Sequence, residues 1–186
     1  DTYPASVLIE ITSLNDDDTA RVALEDILGL ALADELIIDA VVAQSEAQCA
    51  AFWGLREGVP EAQRHEGTGS IKHDVSVPVS RVSEFLREAN KRVHEQMPAA
   101  RICAFGHMGD GNIHYNVNQP FDMDKDLFLS QWDIFKKIIH DLVNDMEGSV
   151  SAEHGIGLLK REDMATYKNS VALDLMRAVK KTLDPQ

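Results

Sequence analysis

Residues 102–117, from Ile102 to Val117, read ICAFGHMGDGNIHYNV. Apolar, β-prone residues flank Asp110-Gly111, a dipeptide favoured in two-residue type I′ turns, so the stretch predicts a β-hairpin. A two-residue turn sets Asn112 opposite Gly109, Ile113 opposite Met108 and His114 opposite His107. Directly opposed side chains on one face have Cβ atoms about 5 Å apart, so two imidazoles in that register reach one metal ion. Alternation puts Asn116 on the face of His114 and turns Ile113, Tyr115 and Val117 to the other. One face is thus polar where a core wants apolar groups, and it is expected to line a cleft. The plainer alternative is a pair of half-exposed polar histidines.

Outward from the hairpin, the apolar spacing of Phe128, Trp132, Phe135, Ile139, Leu142 and Met146 predicts one long helix from about Lys125 to Glu147. Ser149 to Ala152 reads as a short strand, followed by helices over Gly155–Lys168 and Val171–Leu183. On the other side, Val82, Phe85, Leu86, Ala89 and Val93 form a helical stripe opened by Pro78 and Ser80. Ile71 to Val77 alternates as a strand after a loop at Gly67–Ser70. Ser45 is a plausible N-cap for a helix over Ala47–Glu57. Ile37–Ala43 and Val7–Ile11 read as strands. Between them the acidic run Asn15–Asp18 opens a helix whose apolar side is Leu24, Ile27, Leu28, Ala31 and Leu32. Alternating elements would suit a parallel α/β fold, but the hairpin forces an antiparallel pair and no glycine-rich phosphate loop follows a strand. The expected class is α+β: an antiparallel sheet, at least partly ferredoxin-like, with helices mainly on one face.

The chain has 186 residues, enough for one sizeable core. Its net charge of −13 argues against a nucleic-acid binder or a basic membrane-surface protein. No apolar run approaches transmembrane length. Cys49 and Cys103 sit among apolar neighbours and are expected to be reduced core thiols, which favours an intracellular, cytoplasmic protein. No signal peptide is evident. The chain begins at Asp1 without Met and is expected to be a fragment of a longer protein.

A second cluster, Ser151-Ala152-Glu153-His154-Gly155-Ile156-Gly157, suggests a strand ending in a tight turn. Adjacent strand residues point to opposite faces, so Glu153 and His154 share a site only if the backbone bends there. Gly155 and Gly157 permit that bend. With the hairpin, the constellation becomes His107, His114 and Glu153. That set suits zinc or another divalent metal and leaves positions open for solvent or substrate. His154 stays free as a base beside the metal. Arg56 shares a helix face with Cys49, Phe52 and Trp53. It acts either as a carboxylate clamp or as one half of an ordinary ion pair. Lys72 shares a strand face with Ser70, Asp74 and Ser76, which faces either solvent or the cleft with Asn116. His65, His94 and His140 read as surface positions, and Trp53 and Trp132 as core. Asp110 and Asn112 are expected to serve the turn.

Together, Gly106-His107-Met108-Gly109-Asp110-Gly111-Asn112-Ile113-His114 and Ser151–Gly157 resemble the C-terminal substrate domain of FAD-linked 2-hydroxyacid dehydrogenases. These are flavoproteins of the vanillyl-alcohol-oxidase type, including D-lactate and D-2-hydroxyglutarate dehydrogenases and the glycolate oxidase flavin subunit. The resemblance covers nearly the whole chain; Arg56 in Leu-Arg-Glu and Lys72 before His73-Asp74-Val75-Ser76-Val77-Pro78 also fit. It implies a divalent metal, often zinc, on His107, His114 and Glu153. It implies substrate contacts from Arg56, Lys72 and Asn116, with the two cations on a carboxylate, and proton removal by His154. It further implies FAD, held mainly by an N-terminal domain outside residues 1–186, and an electron acceptor. The chain alone is then expected neither to hold FAD firmly nor to turn over. Pro60 stands where some relatives carry a hydroxyl residue, and the chain stops at Gln186 where relatives continue. The full-length protein is expected to be cytoplasmic or peripheral at a membrane; homo-oligomerisation is left open. Two rival readings remain at this point: a non-catalytic carboxylate-binding module and a metal-dependent hydrolase.

Overall fold

A computed structural model describes residues 3–14, 18–66, 68–158 and 160–185. The chain divides into two compact units, Asp1–Gly67 and Thr68–Gln186.

The first unit contains helices α1 (Thr19–Ala33), α2 (Glu46–Glu57) and α3 (Val59–His65). Ser45 caps α2 as its sequence suggests, Oγ accepting from the Gln48 N–H at 3.3 Å. Pro60 sits in the first turn of α3, where a missing N–H costs nothing. The expected strands at Val7–Ile11 and Ile37–Ala43 are irregular instead. Their β-branched pattern is right, but a strand exists only in a ladder, and neither segment has one within this unit. Val7, Ile9, Ile38 and Val41 are accordingly exposed. Trp53 is also partly exposed, its Nε1 donating to Glu10 at 2.7 Å. Residues 15–17 of the expected acidic run lie outside the described residues.

The second unit carries β1 (Ser70–Ser76), α4 (Val82–Gln96), β2 (Arg101–His107), β3 (Asn112–Asn118), α5 (Lys125–Leu129), α6 (Trp132–Asp145), α7 (Arg161–Tyr167) and α8 (Ser170–Leu183). The sheet is antiparallel in the order β1-β3-β2. This β-α-β-β-α run with β3 central is a ferredoxin-like arrangement. Beyond β1, where that fold keeps its fourth strand, there is a single antiparallel bridge from Ser76 to Ser149 rather than the expected Ser149–Ala152 strand.

The core forms on one face of the sheet. Ile71, Val75, Ile113, Tyr115 and Val117 meet Val82, Phe85, Ala89 and Val93 of α4 and Phe135, Ile139, Leu142 and Val143 of α6. The expected long helix is broken at Ser130–Gln131. Asp124 caps α5 by accepting from the Leu127 N–H at 3.0 Å, and the Ser130 hydroxyl donates back to the Leu127 carbonyl at 2.7 Å. Trp132, expected in the stripe, begins α6 partly exposed. The helix expected from Gly155 starts only at Arg161, because Gly155 and Gly157 take φ of +72° and +53°. His140 is buried, not on the surface. Cys49 is exposed and Cys103 half-buried on the polar side of β2, so neither is a core thiol.

Candidate metal and substrate site

The hairpin forms, but with a longer turn than expected. His107 pairs with Asn112, Gly106 with Ile113 and Phe105 with His114. Four residues, Met108–Gly111, make the turn. Tertiary contact sets it: the Gly111 carbonyl accepts from the Val77 N–H at 3.1 Å, and Gly111 has φ +75°. A Cβ at Gly111 would lie 1.9 Å from the Val77 carbonyl oxygen, so only glycine fits. The slip is two residues, which keeps every side chain on its predicted face. It makes His107 and His114 diagonal neighbours, for which Cβ separations of roughly 7–8 Å are usual, rather than a direct pair.

The polar face assembles in rows across three strands. Lys72 pairs with Asn116, and Asn116 with Cys103; Asp74 pairs with His114, and His114 with Phe105. Asn112 and Asn116 are buried on the central strand, whereas Lys72 and His107 are exposed. The His114 and Phe105 rings lie 5.0 Å apart. Arg56 lies half-buried on α2 of the first unit.

The second cluster reaches this face from the edge of β1. Ser76 and Ser149 exchange backbone bonds of 2.9 and 2.8 Å, then the Ala152 N–H, not that of Ser151, reaches the Asp74 carbonyl at 3.3 Å. This slip of one residue acts as a bulge, and it delivers the next two N–H groups to the Asp74 side chain. Asp74 accepts from Glu153 N–H at 3.2 Å and from His154 N–H at 3.0 Å. The Ser151 hydroxyl donates to the Gly155 carbonyl at 2.9 Å and closes the turn. Glu153 then points at the hairpin: its Oε2 is 3.5 Å from His114 Nε2, and its Oε1 accepts from the Asn112 amide. The bend that the glycines suggested is therefore present.

Asp74 is the residue that sequence reasoning left as a mere face neighbour. It is 5% exposed, 3.9 Å from His114 Nδ1, 3.7 Å from His154 Nδ1 and 4.0 Å from Lys160 Nζ. Burial pushes its carboxyl up, but the His154 and Glu153 N–H groups and the nearby cations outweigh this and hold it below the usual range. Alternation could have placed it; nothing local could show that a loop 79 residues downstream would close on it. Asp74, His114 and His154 each offer a ligand atom, all within 4.8 Å of one another. This donor chemistry of imidazole and carboxylate fits a divalent transition metal.

Behind the sheet lies a second polar cluster. His73 shares a 2.8 Å bond between its Nδ1 and the Tyr115 carbonyl, and its ring meets that of His140 edge-on at 6.0 Å. Asp163 stands 3.8 Å from His140 and 3.3 Å from Lys136. Burial above all lowers both imidazoles to about 4. Lys160 is likewise lowered by burial, against the pull of Asp74 and Asp163.

Imidazoles and carboxylates held over one face of an antiparallel sheet define an α+β domain with a candidate metal centre. The chain belongs to the family described as FAD linked oxidases, C-terminal domain, which it matches over residues 1–186. It is 37% identical over 179 residues to a protein of Oryza sativa subsp. japonica named probable D-2-hydroxyglutarate dehydrogenase, mitochondrial, covering 96% of this chain and 30% of the rice protein. It is 39% identical over 149 residues to D-2-hydroxyglutarate dehydrogenase of Stutzerimonas stutzeri, covering 80% of this chain and 32% of the other. A putative mitochondrial D-lactate dehydrogenase of Schizosaccharomyces pombe is 34% identical over all of this chain and 36% of its own length. The chain thus spans about a third of the length of these curated relatives. The cytoplasmic expectation is overturned by the mitochondrial rice and yeast relatives. Its physical basis was thin, since free thiols do not separate one reducing compartment from another. Among the described residues, no helix is long and apolar enough to cross a membrane.

Proposed function

We propose that this chain supplies the substrate- and metal-binding half of an FAD-dependent dehydrogenase that oxidises a D-2-hydroxy acid to the 2-oxo acid. One observation carries the reading: His114 Nε2 and Glu153 Oε2 lie 3.5 Å apart on the face where Lys72 pairs with Asn116. A metal-capable pair thus shares a surface with a cation and an amide suited to a carboxylate.

In this reading His107, His114 and Glu153 hold a divalent metal, zinc being the best fit to nitrogen and oxygen donors with an open position. When bound, the metal would supply Lewis-acid polarisation of the substrate hydroxyl, and FAD would supply a two-electron acceptor for the α-hydrogen. Lys72 is the carboxylate-binding cation of this face, and Asn116 donates to or accepts from the bound acid. His154 takes the hydroxyl proton. A proton on its Nδ1, toward Asp74, leaves the lone pair on Nε2 for that task. The partners are an FAD-binding domain of the same full-length protein and an electron acceptor.

The test is anaerobic mixing of the full-length, FAD-loaded protein with D-2-hydroxyglutarate, D-lactate and glycolate. Bleaching of the flavin by at least one of them is expected. An oxidised spectrum unchanged by all three would refute the proposal.

A further inference from the structure

The carboxylate of Asp74 faces His114, His154 and the backbone N–H groups of Glu153 and His154, while the proposed reaction uses it only as the group toward which His154 turns its Nδ1–H. We infer that Asp74 is a positioning residue: a single buried carboxylate that sets the tautomer of both His114 and His154 while pinning the backbone that carries Glu153. The inference rests on the reading of His114 and Glu153 as metal ligands and of His154 as the proton acceptor.

The two oxygens of Asp74 divide the work. Oδ1 faces His114 Nδ1 at 3.9 Å, and Oδ2 faces His154 Nδ1 at 3.7 Å. These separations exceed a hydrogen bond, but a fixed buried carboxylate at such distances still favours the N–H on the nearer ring nitrogen electrostatically. A carboxylate can only accept, so it draws the ring proton of each histidine to Nδ1 and leaves both Nε2 atoms with lone pairs. For His114 this choice is contested. Its Nε2 lies 3.5 Å from Glu153 Oε2, and a proton there would let the ring donate to Glu153 and close the site against a metal. Asp74 prevents this because it is fixed: it is 5% exposed, and Glu153 is 48% exposed. The backbone N–H groups of Glu153 and His154 hold it from one side. Lys160, anchored by its 2.9 Å bond to the Val150 carbonyl, stands on another. Metal-ligating histidines are generally held this way, and losing the holding group typically costs 10–100-fold in metal affinity.

Asp74→Asn is the informative variant, since its amide keeps the shape but can present N–H toward a ring nitrogen and so favours the opposite tautomer. The measurement is a two-bond ¹H–¹⁵N correlation spectrum of the metal-free chain labelled at histidine, above the imidazole titration range. It is joined to zinc affinity by competition with a chromophoric chelator, with His114→Ala as control. Wild type should show Nδ1–H at both His114 and His154. Asp74→Asn should move His114 toward Nε2–H and weaken zinc by roughly 10–100-fold, with the near-ultraviolet circular dichroism unchanged. Unaltered tautomers and zinc affinity in Asp74→Asn would overturn the inference and leave the proposed site standing. Nε2–H at His114 in wild type would overturn it without recourse to any variant. A wild type that binds no zinc, and that His114→Ala does not change, would remove the metal reading and this inference with it.

Discussion

Histidine and carboxylate side chains cluster in the second unit, and the sheet sorts those on its strands by parity. His114 and Asp74 face the polar side; His73, one residue before Asp74, faces the core. The approach of Glu153 to His114 was legible because each sits in a compact pattern with its turn glycines. Asp74 and His140 were not, since burial there comes from segments distant in sequence. Two predictions belong here. Zinc content of purified protein, measured by mass spectrometry, should fall to background in His114→Ala and drop several-fold in Glu153→Gln; in His107→Ala it should also fall, since the diagonal imidazole completes the proposed set. The second concerns pH. The fold lowers His73 and His140 from the ordinary 6.5 to about 4, so between those values the unfolded chain binds protons and the folded one does not. Stability should therefore be fully present above about pH 6.5 and decline as pH falls toward 4, by on the order of 3 kcal/mol per ring at most. Urea unfolding at pH 7 and pH 4.5 checks this, and His140→Phe should flatten the slope.

At the scale of elements, periodicity read the buried stripes of α4 and α6 correctly because a helix packed on a sheet needs one apolar side. It misread the hairpin turn by two residues, because Asp-Gly preference is local and the Gly111–Val77 bond is not. It joined α5 to α6 because the apolar stripe continues across Ser130, where side-chain bonding ends the first helix. Gly111→Ala should cost more than the 1–2 kcal/mol of a left-handed residue, because the added methyl also meets the Val77 carbonyl. A shift of the urea midpoint to lower concentration with an unchanged slope is the expected reading. Phe135→Ala, at a fully buried position, should cost about 3–5 kcal/mol by the same assay.

Across the whole chain, the buried core belongs to the second unit, from Ile71 to Val150. No described residue of the first unit is buried. Local stability follows burial, so hydrogen exchange should be fast throughout α1 to α3 and slowest in β3 and α6. Protection of α1 equal to that of β3 would contradict this. The family was legible because two long motifs fall at positions that the fold brings together. The α+β class was legible from the hairpin. The strands read at residues 7–11 and 37–43 were not realised, since a sequence pattern states what a strand would bury but supplies no neighbour to pair with.

The two glycine turns around the site leave unequal room for change. Beneath it, one extra carbon at Gly111 strikes backbone; above it, a carbon built on Gly155 meets nothing within 4 Å. Libraries meant to reshape this face are thus best concentrated on residues 155–158, with the strands left untouched. Asparagine, which tolerates left-handed backbone better than other side chains, is the first replacement to sample at Gly155.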